Sequence, residues 1–217
     1  MKRLYALSIC LMALVSNMPA HAESGVSSNQ VDSSEQVFAC KQKLMGPLAN
    51  SLVEKVDQTN DKLVSFSAGF TQISTLIGAG IRKESSGKAW IEKPGKMEWV
   101  YESPNKQSFI SDGQTLWFYQ PSLNQVTITD FSSAFNSKVP GTFMLGLGKL
   151  RNDFVVNYVC KGQYNTLVDL TPKGDDKSLN RLTLVVGTND YYPRAAKIVD
   201  AGGNETSIIM KGFASSG

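Results

Sequence analysis

The sequence predicts a mainly β protein with a few helices, in which antiparallel strands form a meander with one apolar face. From Phe66 onward, runs of alternating apolar and polar residues are separated by Gly, Pro, Asn and Asp. The three tryptophans, Trp90, Trp99 and Trp117, fall close together within these runs. We therefore expect paired strands that carry large aromatic side chains, rather than a polar catalytic pocket.

The N-terminus has the features of a signal peptide at residues 1–22. Lys2 and Arg3 precede an apolar stretch at residues 4–15, and Ala20-His21-Ala22 fits the small-x-small pattern of a signal-peptidase site. The apolar stretch is too short to span a bilayer. We therefore expect these residues to be removed and the mature protein to be exported.

A polar N-terminal arm is predicted at residues 23–45, followed by one folded domain at residues 46–217. The mature chain keeps two cysteines, Cys40 and Cys160, and an exported protein meets an oxidising compartment. A disulfide between them is the simplest interpretation. Two buried free thiols, or pairing with another chain, are the alternatives.

Charge and histidine content exclude several classes of function. The chain has 22 Lys and Arg against 19 Asp and Glu, and Lys2 and Arg3 leave with the signal peptide. The mature protein is therefore near neutral and lacks the basic surface of a nucleic-acid-binding protein. Its only histidine, His21, is also lost, which excludes Ser-His-Asp catalysis, Cys-His catalysis and histidine metal sites.

The carboxylates offer no clear acid/base pair. Asp175 and Asp176 are adjacent, but they lie in a turn rich in Gly and Lys, where solvated side chains are the ordinary case. We therefore expect no enzymatic activity, and no metal or cofactor. We also expect the protein to be a monomer.

One amphipathic helix is predicted to begin at Gly46-Pro47, because proline is favoured in the first turn of a helix. Its apolar stripe comprises Leu48, Leu52, Val53 and Val56. Asn50, Glu54 and Asp57 are assigned largely to the other faces of the helix.

The strands follow. One face is predicted to carry Phe66, Ala68 and Phe70, and another to carry Phe154, Val156, Tyr158 and Cys160. A later strand covers residues 207–211. Residues 131–150 contain Pro140 and several Gly and Ser residues, so short broken helices fit better there than strands.

The central hairpin carries the strongest local signal. Met97, Trp99 and Tyr101 alternate with polar or smaller residues, so they share one face of a strand. Asp112-Gly113 then turns the chain into the next strand. Either the helices complete a packed core over this face, or they cover a site for an apolar ligand.

The residues of this hairpin and its neighbours resemble the LolA family of periplasmic lipoprotein carriers over roughly residues 48–210. The combination Lys-Pro-Gly-Lys-x-x-Trp with Ser-Asp-Gly-x-x-x-Trp-x-Tyr is the most specific part. The matching segments are SFSAGFTQ at 65–72, GKAWIEKPGKMEW at 87–99, ISDGQTLWFYQPSLNQVTITD at 110–130, and PGTFMLGLG and DF within 140–154.

The resemblance implies an incomplete, unclosed antiparallel β-barrel, a strongly curved sheet with an α-helical lid over an apolar cavity. It implies a periplasmic carrier that receives the acyl chains of lipoproteins from an inner-membrane ABC transporter of the LolCDE type. Delivery would be to an outer-membrane acceptor, LolB or its equivalent. A periplasmic lipid- or lipoprotein-sensing regulatory module of the same fold is the alternative function.

The resemblance also suggests site residues. Lys93 stands where better-known members carry an arginine that latches the lid, and lysine cannot reproduce the planar fork of arginine. A weaker latch and a solvated strand-end residue are the two interpretations. The predicted lipid-binding residues, for which ordinary core packing is the alternative, are Met97, Trp99, Tyr101, Phe109, Phe118, Phe143, Met144, Leu145, Leu52 and Val56.

Overall fold

The computed structural model describes residues 36–134, 149–173 and 179–216. Its main element is an antiparallel sheet of eleven strands. The strands are β1 Ser65–Leu76, β2 Ile81–Glu92, β3 Lys96–Ser103, β4 Gln107–Asp112, β5 Thr115–Gln120, β6 Gln125–Asp130, β7 Phe154–Lys161, β8 Asn165–Pro172, β9 Leu179–Gly187, β10 Pro193–Asp200 and β11 Glu205–Ser216.

The sheet consists of two meanders, β1–β6 and β7–β11, joined where β1 pairs with β11. Every other pair joins strands that are consecutive in the chain, as short connections favour. Strands β6 and β7 are the two edges of the sheet, so the barrel is not closed. This confirms the predicted mainly β, unclosed antiparallel fold.

Three α-helices accompany the sheet in the described ranges, α1 Gly46–Lys62, α2 Phe131–Ala134 and α3 Leu150–Asp153, together with two short 3-10 helices, Ile77–Ala79 and Pro121–Leu123. Helix α1 begins at the predicted Gly46-Pro47. It buries Leu52, Val53 and Val56 against strands of the second meander. Leu48 is 57% exposed, so its place in the predicted stripe was wrong.

Asp57 also differs from the prediction, because it lies on the buried face of α1 with 2% of its surface exposed. Its carboxylate accepts hydrogen bonds from the backbone N–H of Leu150 at 2.9 Å and from the Arg151 Nε at 3.2 Å. Both donors belong to the first turn of α3. A buried carboxylate tolerates desolvation only when such donors surround it, so Asp57 ties α1 to α3.

The predicted hairpin joins β4 to β5. Gly113 has a φ of +94°, which glycine adopts without strain. The Asp112 carboxylate accepts hydrogen bonds from the N–H groups of Gln114 and Thr115, each at 2.8 Å. The Asp-Gly signal therefore works through a backbone conformation and a side-chain acceptor together.

The second meander buries both of its faces, which differs from the predicted single apolar face. Phe154 and Val156 pack towards α1, whereas Tyr158 and Cys160 pack on the opposite side. The register of β7 against β8 shifts between Val156 and Tyr158. An extra residue in a strand reverses the alternation after it, so the prediction that these four residues share a face was wrong.

Residues 36–45 of the predicted arm lie against this outer side of the sheet. Val37 and Phe38 pack on a small cluster that includes Val185 and Ala195. The backbone of Leu44 exchanges two hydrogen bonds with Val159, at 2.7 and 2.9 Å. We call residues 36–45 the outer strap.

Candidate functional site

The first meander carries a continuous aromatic cluster on its inner face, the face on which α1 packs in the second meander. Trp99 and Tyr101 of β3 are buried there beside Phe70 of β1, Phe109 of β4 and partly buried Phe118 of β5. We call this the inner aromatic cluster. Its remaining members are Leu63, Phe66, Ala89, Ile91, Met97, Leu116, Phe131, Ala134, Tyr192, Ile208, Met210 and Phe213.

The rings of this cluster are in direct contact, both between neighbouring strands and, from β1 to β3, across β2. The centroids of Phe70 and Trp99 are 4.4 Å apart, and those of Phe109 and Phe118 are 4.3 Å apart in a stacked pair. Tyr101 contacts Phe70 edge-on at 5.1 Å. The structure thus brings together all the predicted strand residues of the site.

The other two tryptophans do not belong to this cluster. Trp90 is 43% exposed, and it pairs in register with Glu98 on the outer face. Trp117 pairs with Ile110 and Ile128, both exposed. Of the three tryptophans, only Trp99 therefore faces inward.

Leu52 and Val56 of α1 belong to a different cluster. They pack with Leu150, Phe154 and strands β8–β10 of the second meander. The structure therefore does not place them beside the inner aromatic cluster. Their predicted role in lipid binding stays a prediction, as does that of the strand residues.

An open groove of about 480 Å³ lies at one end of the inner aromatic cluster. Its lining includes Phe66, Ile91 and Met97 of the inner face. It also includes Trp90 and Ala214 of the outer face, so the groove lies at an end of the strands that both faces reach. Its rim is charged, with Glu92, Lys96 and Glu98 among the lining residues. Met97 is the predicted strand residue that reaches this opening.

The two sequence motifs around the tryptophans meet beside the groove. Gly95, with a φ of +75°, lies against Gly113 and the ring of Phe131, and a Cβ added at Gly95 would stand 3.1 Å from each. The backbone N–H of Phe131 donates to the carbonyl of Gln114 at 2.8 Å. The β2–β3 and β4–β5 turns thus form one packed unit that holds the start of α2.

Lys93 reaches from the β2–β3 turn to the end of α1. Its Nζ donates to the Asn60 backbone carbonyl at 2.6 Å and to Asn60 Oδ1 at 2.5 Å. Burial lowers the pKa of Lys93 to about 8, although Asp61 acts in the opposite direction. The side chain is therefore half-buried and bonded to a helix, as a latch requires.

A buried polar network, centred on Gln72, was not predicted. The Tyr101 hydroxyl donates to Gln72 Oε1 at 2.7 Å, and Gln72 Nε2 donates to Ser74 Oγ at 3.3 Å. Gln72 continues the inward alternation of Phe66, Ala68 and Phe70, which was the available signal. Trp99 differs from Tyr101, because its buried Nε1 has no hydrogen-bond partner among the described residues.

The two mature cysteines lie close together. The Cα atoms of Cys40, in the outer strap, and Cys160, in β7, are 5.6 Å apart. A disulfide typically spans this separation. Phe143, Met144, Leu145, Asp175 and Asp176 lie outside the described residues.

Within residues 36–134, 149–173 and 179–216, no helix combines the length and the apolar character that crossing a bilayer requires.

Comparison with known proteins gives a consistent result. The family model of the outer membrane lipoprotein carrier protein LolA matches residues 61–216. The outer-membrane lipoprotein carrier protein of Serratia proteamaculans is 32% identical over 150 residues, which cover 69% of this chain and 71% of the relative. That of Chromobacterium violaceum is 28% identical over 167 residues, covering 77% and 79%.

A solved structure of an uncharacterized conserved protein from Thermus thermophilus superposes with a TM-score of 0.50 at 10% identity. The alignment covers 77% of this chain and 87% of that one. At this identity the likeness concerns the fold alone.

Proposed function

The chain belongs to the LolA family of outer membrane lipoprotein carrier proteins, and we propose that it carries acylated lipoproteins across the periplasm. It takes them from an inner-membrane ABC transporter of the LolCDE type and delivers them to an outer-membrane acceptor, LolB or its equivalent. Members of this family are carriers and not enzymes.

The inner aromatic cluster is the observation that carries this proposal. It offers a continuous apolar face across six neighbouring strands, β11 and β1–β5, and its member Met97 also lines an open groove. Acyl chains need such a face because their transfer out of water supplies the binding free energy. Each methylene withdrawn from water contributes about 0.8 kcal/mol, so ten contribute roughly 8 kcal/mol before the costs of binding.

The side chains of the inner aromatic cluster also allow the cargo to be released. Aromatic rings and the flexible side chains of Met97 and Met210 adapt to chains of different length and saturation. The cluster offers acyl chains no fixed charge. Retention therefore depends on buried area, and a second apolar surface can compete for the cargo.

The cluster is packed in the closed structure, so loading requires movement of the cover. The segment that carries Phe143, Met144 and Leu145 is anchored at both described ends. On one side Phe131 packs on the two turns, and on the other Asp57 and Asp61 of α1 hold residues 149–151. The assignment of Phe143, Met144 and Leu145 to a lid rests on the family resemblance alone, and Lys93, bonded to Asn60, joins the β2–β3 turn to α1.

Lipoprotein release from proteoliposomes tests the proposal. Vesicles that contain the transporter and a triacylated lipoprotein are given ATP and the mature protein, and lipoprotein in the soluble fraction is measured. We expect the wild-type protein to take up cargo. Met97→Glu places a charge at the groove against the path of the chains, and we expect it to reduce uptake at least about tenfold.

Val100→Glu is the matched control, because Val100 lies on the same strand but on the outer face. We expect this variant to retain wild-type uptake. Normal uptake by Met97→Glu would place the cargo elsewhere on the molecule. Failure of the wild-type protein to release any lipoprotein would contradict the carrier function.

A further inference from the structure

The indole of Trp99 holds a buried hydrogen-bond donor that the described part of the chain does not satisfy. Trp99 is 8% exposed, and its Nε1 has no partner among the described residues. A buried donor without an acceptor lowers the stability of the fold, and buried donors are therefore usually paired. The indole N–H of Trp99 is therefore expected to meet an acceptor that the described residues do not supply.

The neighbouring polar group shows that the inner face is able to pair its own donors. The Tyr101 hydroxyl, two residues along the same strand, donates to Gln72 Oε1. Trp99 instead packs against the ring of Phe70, within a cluster of otherwise largely hydrocarbon side chains. An acceptor for its indole N–H is therefore best supplied by a molecule that enters the cluster.

The position of Trp99 along β3 narrows the choice of acceptor. Trp99 and Met97 point to the same face, and two residues of a strand span about 7 Å. Met97 lines the open groove. Trp99 therefore lies one inward-facing side chain further along β3 than Met97, close to the groove but not in its lining.

We propose that Trp99 Nε1 donates a hydrogen bond to the carbonyl oxygen that joins a cargo acyl chain to the rest of the lipoprotein. The inference rests on the proposed carrier function and adds the chemical group that is recognised. The hydrocarbon tail offers no acceptor, whereas the ester or amide carbonyl at its head does. Trp99 thus distinguishes an acylated protein from a plain hydrocarbon and sets how deep the chain enters.

Two synthetic peptides with S-linked cysteine lipids test the proposal. One carries two ester-linked chains on glycerol, and the other carries the same chains through ether bonds without carbonyls. Their affinity is measured for the mature protein and for Trp99→3-benzothienylalanine, in which sulfur replaces the indole N–H at nearly the same ring size. The same replacement at Trp117, on the outer face, is the control.

We expect the wild-type protein and the Trp117 variant to bind the ester peptide about five- to tenfold more tightly than the ether peptide, the ratio that one hydrogen bond supplies. The Trp99 variant should bind both peptides equally. Equal binding of the ester, the ether and an N-acylated ether peptide by the wild-type protein, or an ester preference that survives in the Trp99 variant, overturns the proposal. Failure to bind either peptide contradicts the carrier function instead.

An N-acylated form of the ether peptide identifies which carbonyl is used. If it regains the tighter binding in the wild-type protein alone, the amide carbonyl is the acceptor at Trp99. If it binds like the plain ether peptide while the ester peptide stays tighter, the acceptor is the ester carbonyl. Both results support a carbonyl at this position. If the N-acylated peptide binds more tightly than the plain ether peptide in the Trp99 variant as well, Trp99 is not the donor to the amide carbonyl.

Discussion

Lys93, the proposed latch, carries a charge that its surroundings do not fully compensate. Its ammonium bonds to two oxygens of Asn60, yet burial lowers its pKa from 10.5 to about 8. The hydrogen bonds therefore offset only part of the cost of desolvation.

The lowered pKa of Lys93 predicts that the free energy of unfolding depends on pH. Between pH 8 and 10.5 the unfolded chain keeps the Lys93 proton that the folded chain has lost, so the free energy of unfolding rises with pH across this window. We expect a rise of about 1 kcal/mol, discounted because the side chain keeps some solvent. Urea denaturation at pH 7.5 and 10 measures it. Lys93→Met should lack the increment, and an equal rise in this variant would contradict the assignment.

Asp57 illustrates a residue that the sequence does not reveal. Helical spacing places it beside the apolar stripe of α1, and its donors lie more than ninety residues further along the chain. Only the tertiary structure brings α3 to it. Gln72 differs, because it continues an inward alternation and its burial was readable from the sequence.

Truncation of Asp57 should destabilise the fold. Asp57→Ala leaves the Leu150 N–H without its acceptor inside the protein, and we expect a loss of about 2 to 3 kcal/mol. Asp61→Ala, also on α1, removes an exposed ion pair with Lys149 and should cost less than about 1 kcal/mol. Urea denaturation at pH 7 compares them. Equal losses would show that Asp57 contributes no more than a surface charge.

The outer strap holds the N-terminal end of α1 in place. Leu44 pairs with Val159, Lys43 lies over the ring of Tyr158 at 4.3 Å, and Cys40 lies beside Cys160. The strap thus holds α1 from the outer face of the sheet. The strap therefore limits movement of this end of α1.

The cysteines should form a disulfide that stabilises this arrangement. A bridge that closes so long a loop contributes about 2 to 4 kcal/mol. We expect reductant to lower the melting temperature of the wild-type protein and to leave that of Cys40→Ser/Cys160→Ser unchanged. Thiol labelling of the unfolded, unreduced protein checks the bridge directly, and two labelled cysteines would contradict it.

Alternation of apolar and polar residues predicts the direction of side chains only where a strand is regular. It placed Met97, Trp99 and Tyr101 on one inner face, because β3 is regular. It failed in β7, where the register shift after Val156 turns Tyr158 and Cys160 to the outer side. Such a shift has no strong sequence signal, since it depends on the pairing with β8.

The two meanders of the sheet differ in how their faces are covered. The second meander, covered by α1 inside and by the outer strap outside, is packed on both faces. The first meander carries the inner aromatic cluster and the groove at Met97. The sequence predicted the open sheet and the strand residues of the site. It did not separate Leu52 and Val56 from them, because an amphipathic helix does not reveal which half of a sheet it covers.

The central claim is that acyl chains bind the inner face of the first meander. Phe118 and Trp117 are adjacent on β5 and point to opposite faces, so they form a matched pair of positions. A photoreactive benzoylphenylalanine at each position, followed by loading with a triacylated lipoprotein, illumination and mass spectrometry, locates the chains. We expect acyl adducts from position 118 and few or none from position 117. Adducts mainly from position 117 would place the cargo on the outer face and contradict the claim.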